Sequence, residues 1–165
     1  MSKKIKLIYD SFENEVQYYG FEESEEINNI TKLDDFDKEK FNTDLCYNKK
    51  RDLLIYTWGE KKHQEPNCSI SFDLTKFTSK TDKDIRNLDG RDEEIQISII
   101  NHPKYNELIE KIINVIEENN VTTISFFCNH GKHRSVGFAE ILKKYYYEQS
   151  VIKHLRFIED KKKNR

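Results

Sequence analysis

Val121-Thr122-Thr123-Ile124-Ser125-Phe126-Phe127 runs straight into Cys128-Asn129-His130-Gly131-Lys132-His133-Arg134-Ser135, and the join between these two strings decides the fold. The first string is rich in β-branched and aromatic residues and has no sustained alternation of polar and apolar positions, as expected of a strand buried on both faces. It stops at Cys128. Gly131 supplies a residue that tolerates a positive φ, so the turn can leave its N–H groups pointing inward as an anion-binding nest. A helix expected from about Arg134 to Gln149, with Val136, Ala139, Leu142, Lys143 and Tyr146 marking its inner stripe and margins, adds unpaired first-turn N–H groups. The positive end of its dipole is worth about 0.3–1 kcal/mol to an exposed anion and up to about 2 kcal/mol to a partly buried one.

The side chains point the same way. Arg134 can offer two parallel N–H groups to two phosphate oxygens, Lys132 adds a point charge, and Ser135 and Ser125 bring hydroxyls. His130 and His133 can donate to an anion and become cations beside one. The expected ligand-binding set is therefore Asn129, His130, Gly131, Lys132, His133, Arg134 and Ser135.

Working outward, Lys104 to Glu118 places Tyr105, Leu108, Ile109, Ile112, Ile113 and Ile116 on one broad helical stripe, entered after Pro103 and stopped at Asn119-Asn120. Further strand-length apolar runs occur at Ile5 to Tyr9, Leu53 to Thr57 and Ser69 to Leu74, with a weaker one at Val151 to Leu155. Helix, strand, helix is the order of α/β folds. The expectation is one domain over residues 1–165, a mixed sheet flanked by helices, with a phosphate-binding strand-loop-helix at the carboxyl end of a central strand, where open α/β sheets take ligands. Residues of about 22–67 begin with the acidic run Glu22-Glu23-Ser24-Glu25-Glu26 and carry Asp34, Asp35 and Asp37. They read as an acidic insertion, weakly packed.

A length of 165 residues suits one domain, and with charged residues at 35% and hydrophobic ones at 36% the apolar positions must be concentrated in a few elements to cover a core. The formal net charge of -2 gives no chain-wide basic field, so any nucleic-acid contact has to be local. One basic stripe is available, carried by Lys153, Arg156, Lys161, Lys162 and Lys163. Cys46, Cys68 and Cys128 are odd in number and lack Cys-x-x-Cys spacing, which suggests neither a disulfide framework nor a metal site. No run of eighteen apolar residues occurs, and a soluble, reducing, cytoplasmic setting without cofactor or membrane partner is expected. His63, beside Lys61-Lys62, reads as a solvated loop residue.

Two families share the spacing of the loop. Cys128 to Ser135 satisfies the signature of the cysteine-dependent phosphatases, Cys, five residues, Arg, then Ser or Thr, with Cys128 as nucleophile, Arg134 as phosphate clamp and Asp89, or Asp92, as the alternative supplier of a proton. The string Cys128 to Val136, followed by Ala139-Glu140 and Leu142, resembles more closely the RapZ C-terminal domain family, whose loop reads Gly-Cys-Thr-Gly-Gly-Lys-His-Arg-Ser-Val. Ser11-Phe12 is similar to that family's Glu-Ser-Phe-Gly, Phe72-Asp73-Leu74 to its Phe-Asp-Val, Leu88-Asp89-Gly90 to its Gly-Leu-Asp, and His154 to Lys162 to its Arg-His-Arg-Thr-Leu-Glu-Lys-Arg. The resemblance runs from about Lys4 to Lys163, with Asn129-His130 replacing Thr-Gly and Ser79-Lys80-Thr81 standing where the family has Asn-Pro-His. It implies a sensor or adapter domain that binds a phosphosugar of the glucosamine 6-phosphate kind, with a basic surface that holds a small RNA or meets a protein partner. No Gly-x-x-x-x-Gly-Lys-Ser or Thr string is present, so the nucleotide loop of the family's N-terminal domain is not expected here.

Overall fold

The computed structural model describes residues 5–8, 27–77 and 85–164. Five strands form one sheet in the order β1-β3-β4-β2-β5, with β1 at Ile5–Ile8, β2 at Leu54–Gly59, β3 at Ile70–Asp73, β4 at Thr123–Cys128 and β5 at Val151–His154. Every pairing among them is parallel. The expected α/β fold is thus present, and its sheet is parallel where a mixed one was anticipated. The physical reason lies in the connections. No two successive strands are joined by a tight turn, and parallel neighbours require long crossovers.

Two helices, α1 at Glu93–Ile100 and α2 at Tyr105–Asn119, carry the chain from β3 to its neighbour β4, and α3 at Arg134–Tyr145 carries it from β4 past β2 to β5. A last helix, α4, spans Leu155–Lys163. The stripe read on α2 is its buried face, with Leu108, Ile109, Ile112, Ile113 and Ile116 at 3% exposure or less. Each such side chain contributes about 1.5–3 kcal/mol by leaving water. Asn120 ends the helix in the left-handed conformation at φ 49. Helix α3 ends four residues sooner than expected. Beyond it Tyr146 and Tyr147 turn into the core at 2% and 0% exposure.

Helix α1 escaped the periodicity argument because Glu93 to Ile100 has its apolar residues crowded together, yet Ile95, Ile99 and Ile100 are all buried. It crosses α3 at Gly137, where a Cβ would run into the Ile99 side chain. Part of the span read as an acidic insertion also belongs to the packed domain. Leu33 is buried, Phe36 meets Tyr105 and Tyr145 edge-on at centroid distances of 6.0 and 4.8 Å, and Tyr47 meets Tyr146 and Tyr147. Asn28 donates to Asn106 Oδ1 at 2.9 Å, and the Leu33 N–H to Glu93 Oε1 at 2.9 Å. Asp34, Asp35 and Asp37 are exposed while a few apolar side chains, spaced too irregularly to read as an element, seal the helices. Strand β2 lies within the same span, between β4 and β5.

Candidate anion-binding site

Strand β4 is the middle strand of the sheet, and its carboxyl end delivers Cys128 beside Gly59 of β2. The loop that follows needs glycine at both points of approach. Gly131 has φ 68, and a Cβ there would sit 2.6 Å from the Gly59 nitrogen; a Cβ on Gly59 would overlap the backbone of His130. A third glycine, Gly90, lets its own turn lie against the first turn of α3, where a Cβ would meet Gly137 N.

The loop turns its carbonyls outward. Cys128 O accepts the Glu60 N–H at 2.9 Å, Asn129 O the Lys61 N–H at 3.0 Å, Lys132 O the Gly90 N–H at 2.9 Å and His133 O the Gly137 N–H at 2.8 Å. His130 O accepts from Arg156 Nη1 at 3.1 Å. The amides behave differently. No N–H of residues 129–135 donates to an acceptor among the described residues. A run of amides without acceptors among the described residues around a glycine turn has the form of an anion-binding nest.

Arg134 reaches across this nest. Its Nη1 donates to Leu74 O, Thr75 O and Phe77 O at 3.1, 2.6 and 3.2 Å, the carbonyls that follow β3. Those acceptors are neutral. Among the described residues the guanidinium is thus held without a carboxylate partner, and its Nε and Nη2 edge carries no protein partner there. That edge is the one that meets two oxygens of a carboxylate or phosphate in parallel. The Cys128 thiol, 2% exposed, donates to the buried Ser135 Oγ at 3.3 Å.

The other expected ligands divide. Lys132 Nζ donates to Arg86 O, and His133 Nε2 faces Ile85 O and Leu88 O at 3.1 and 2.8 Å, so both side chains fasten residues 85–88 to the loop and contribute amides to the nest. Two carbonyls facing one ring nitrogen place a proton on it. His130 is exposed at the lip. Its pKa is held below the ordinary histidine range, first by burial and then by Lys62, Lys61, Arg156 and Arg134. Ser125 is not at the site. It is fully buried within the sheet, accepting from Trp58 Nε1 at 3.0 Å and sharing a bond with Ser71 Oγ at 2.8 Å.

Asp89, considered as a proton donor, is engaged elsewhere. It accepts from Arg91 Nε and Nη2 at 3.0 and 2.8 Å and from the Arg91 N–H at 2.8 Å. Burial alone would raise its pKa, but Arg91 outweighs burial and holds the carboxyl below its usual range, the wrong direction for a general acid. Asp92 Oδ2 accepts the Asp89 N–H at 2.7 Å. The two aspartates build the turn that presents Gly90 to the loop. His63, read as solvated, is a buried strut: Nδ1 accepts the Gly59 N–H at 2.8 Å, and Nε2 lies 3.2 Å from Glu159 Oε2 on α4. No sequence signal marked it, because its role depends on β2 and α4 meeting in space. Of the basic stripe, Lys153, Lys161, Lys162 and Lys163 are exposed, whereas Arg156 is drawn to the loop.

A parallel sheet covered by helices, with an amide-lined strand-loop-helix at the carboxyl end of its middle strand, defines an α/β domain. The model of the RapZ C-terminal domain family matches residues 52–159, and the chain belongs to that family. The matched stretch opens just before β2 and takes in the whole loop and most of α4. The likeness drawn for Ser11-Phe12 falls before it, and Ser11-Phe12 and Ser79-Lys80-Thr81 lie outside the described residues. No group of three or more His, Cys, Asp or Glu side chains among the described residues is placed to hold a metal ion, and no described helix is long and apolar enough to cross a membrane.

Proposed function

We propose that this RapZ-like adapter or sensor domain binds a phosphate-bearing small molecule, a phosphosugar or nucleotide, in the loop of residues 128–135. One observation carries the proposal: the carbonyls of Cys128, Asn129, His130, Lys132 and His133 accept hydrogen bonds while the amides of 129–135 have no acceptor among the described residues, around a guanidinium whose partners among those residues are carbonyls. A phosphoryl group would receive main-chain N–H donors, the Arg134 edge and the start of α3, each a charge-assisted contact. Asn129, His130, Gly131, Lys132, His133, Arg134 and Ser135 frame it. Lys132 and His133 act through their amides and through the segment they hold.

Cys128 fits this role as a packing and hydrogen-bonding residue. Its partner is Ser135, and the aspartate considered as its proton donor is paired with Arg91. The test is calorimetric titration of the wild type and of Arg134→Ala with glucosamine 6-phosphate, AMP and inorganic phosphate, with thermal unfolding in parallel. Saturable binding by the wild type that vanishes in the folded variant is expected. Absence of binding by the wild type at millimolar concentrations would remove the proposal.

A further inference from the structure

The lip of the nest carries more positive charge than one phosphoryl group requires, and that excess comes from outside the loop. Residues 60 and 61 run beside the loop, with the Glu60 N–H on Cys128 O and the Lys61 N–H on Asn129 O. The next residue, Lys62, closes the turn on Gly59 O. From the opposite side Arg156 reaches His130 O. These contacts set Lys61, Lys62 and the Arg156 guanidinium beside the stretch Cys128 to His130, and the charges of all three lower the affinity of His130 for a proton. The two lysine side chains are exposed and have no carboxylate partner among the described residues. On α4, Glu159 faces His63 at 3.2 Å and Asp160 faces Arg156 Nε at 3.6 Å, while Glu60 is exposed beside Lys61.

Like charges gathered on both flanks of one exposed imidazole repel each other, and the arrangement is relieved by an anion between them. The nest and the Arg134 edge can satisfy one phosphoryl group. His130, whose side chain stands at the boundary, belongs to both the loop and the rim.

We infer that Lys61, Lys62 and Arg156, gathered about His130, form a second anion subsite contiguous with the nest, so that the ligand class is a diphosphate-bearing small molecule held with one phosphoryl group in the loop and the next on this rim. The inference rests on the proposed phosphate site. A diphosphate is favoured over two separated phosphates because the rim begins at the loop's own third residue, leaving no spacer between subsites. An RNA strand would equally meet lysines, but along this connection the charge does not continue away from the nest, since His63 is buried and Gln64 and Glu65 are neutral and acidic; the exposed Lys161, Lys162 and Lys163 of α4 make RNA an outcome of the test.

The experiment compares inorganic phosphate with pyrophosphate, and AMP with ADP, in magnesium-free buffer by calorimetric titration of the wild type and of Lys61→Ala/Lys62→Ala, with a single-stranded RNA titrated alongside. Added charge-assisted contacts of this kind are worth about a factor of ten in affinity. Pyrophosphate and ADP should therefore bind the wild type about tenfold more tightly than phosphate and AMP, and the ratio should fall to about two in the double variant. Phosphate binding with a wild-type ratio near one would overturn this inference and leave the phosphate site standing. So would a ratio that survives in the double variant, or a loss confined to single-stranded RNA. No binding of any of the four ligands would overturn both.

Discussion

The two edges of the sheet each hold a half-buried arginine, and they hold it differently. At the amino edge of β4, Arg51 donates to Glu117 Oε2 at 2.6 Å and Oε1 at 3.3 Å and to Asn120 Oδ1 at 2.8 Å, while the Tyr147 hydroxyl donates to the same carboxylate at 2.7 Å. There the positive charge is matched inside the protein. At the carboxyl edge Arg134 is gripped by three carbonyls and matched by nothing the protein supplies among the described residues. The first arrangement closes the domain. The second fixes a direction and leaves the charge without a carboxylate among the described residues, the arrangement on which the proposed phosphate site rests.

The largest effect should follow from disturbing the frame that makes the carboxyl edge possible. In Gly59→Ala the added methyl would overlap the His130 backbone, and no flexible side chain is there to give way. A loss of about 3 kcal/mol or more is expected, at the severe end for single substitutions. Thermal unfolding would measure it, and a variant as stable as the wild type would show that the loop does not sit against β2 as described. Arg134→Ala comes next. Losing the two-pronged contact should weaken phosphate binding about a hundredfold, and the three released carbonyls should cost about 1–3 kcal/mol of stability. If affinity survived, the contrast between the edges would collapse.

At the other edge the expected signature is stability without any change in affinity. Burial alone would raise the Glu117 pKa, but hydrogen bonds from Arg51, Tyr147 and the Asn48 N–H outweigh it and hold the carboxyl below its usual range. A carboxylate lowered on folding contributes stability above its unfolded pKa and loses it as pH falls through the folded value. Glu117→Gln should therefore lower the melting temperature at neutral pH, by the equivalent of about 1–3 kcal/mol for a partly exposed pair. The difference from wild type should close as both are acidified below the ordinary carboxylate range. Ligand affinity of Glu117→Gln should equal that of the wild type; a drop would mean the two edges communicate.

What the sequence disclosed divides along the same line. The strand, the loop and α2 were legible because each is a continuous string whose pattern follows from local physics: a two-sided apolar strand, a glycine turn, a 3.6-residue stripe. Asn120 as a helix stop was legible for the same reason. The carbonyl grip on Arg134, the strut of His63 and the approach of Lys61 and Lys62 were not, because each joins segments far apart in the chain. Local charge counting also did not disclose that the Lys132 and His133 side chains have carbonyl partners at residues 85–88, which no pattern in the loop announces. The packed stretch around Leu33 and Phe36 stayed hidden because acidic neighbours mask a few apolar residues with no period.

The smallest effect sharpens the carboxyl edge further. His130 has a depressed pKa because burial and four cations disfavour its charged form, so in the free protein it is neutral around pH 7. A bound dianion reverses the sign of the local field and raises that pKa. By linkage, binding then takes up a proton, and affinity must rise as pH falls from the bound-state pKa toward the free-state one and level off below it. Sulfate is the probe of choice, since its own charge does not change across the neutral range whereas that of a phosphate monoester does. Wild-type affinity for sulfate should increase about threefold between pH 8 and pH 6, corresponding to a modest shift at 1.36 kcal/mol per pKa unit. His130→Asn keeps a donor without a titrating group and should flatten the profile. A pH dependence that survives this substitution would move the proton to another group and detach His130 from the anion.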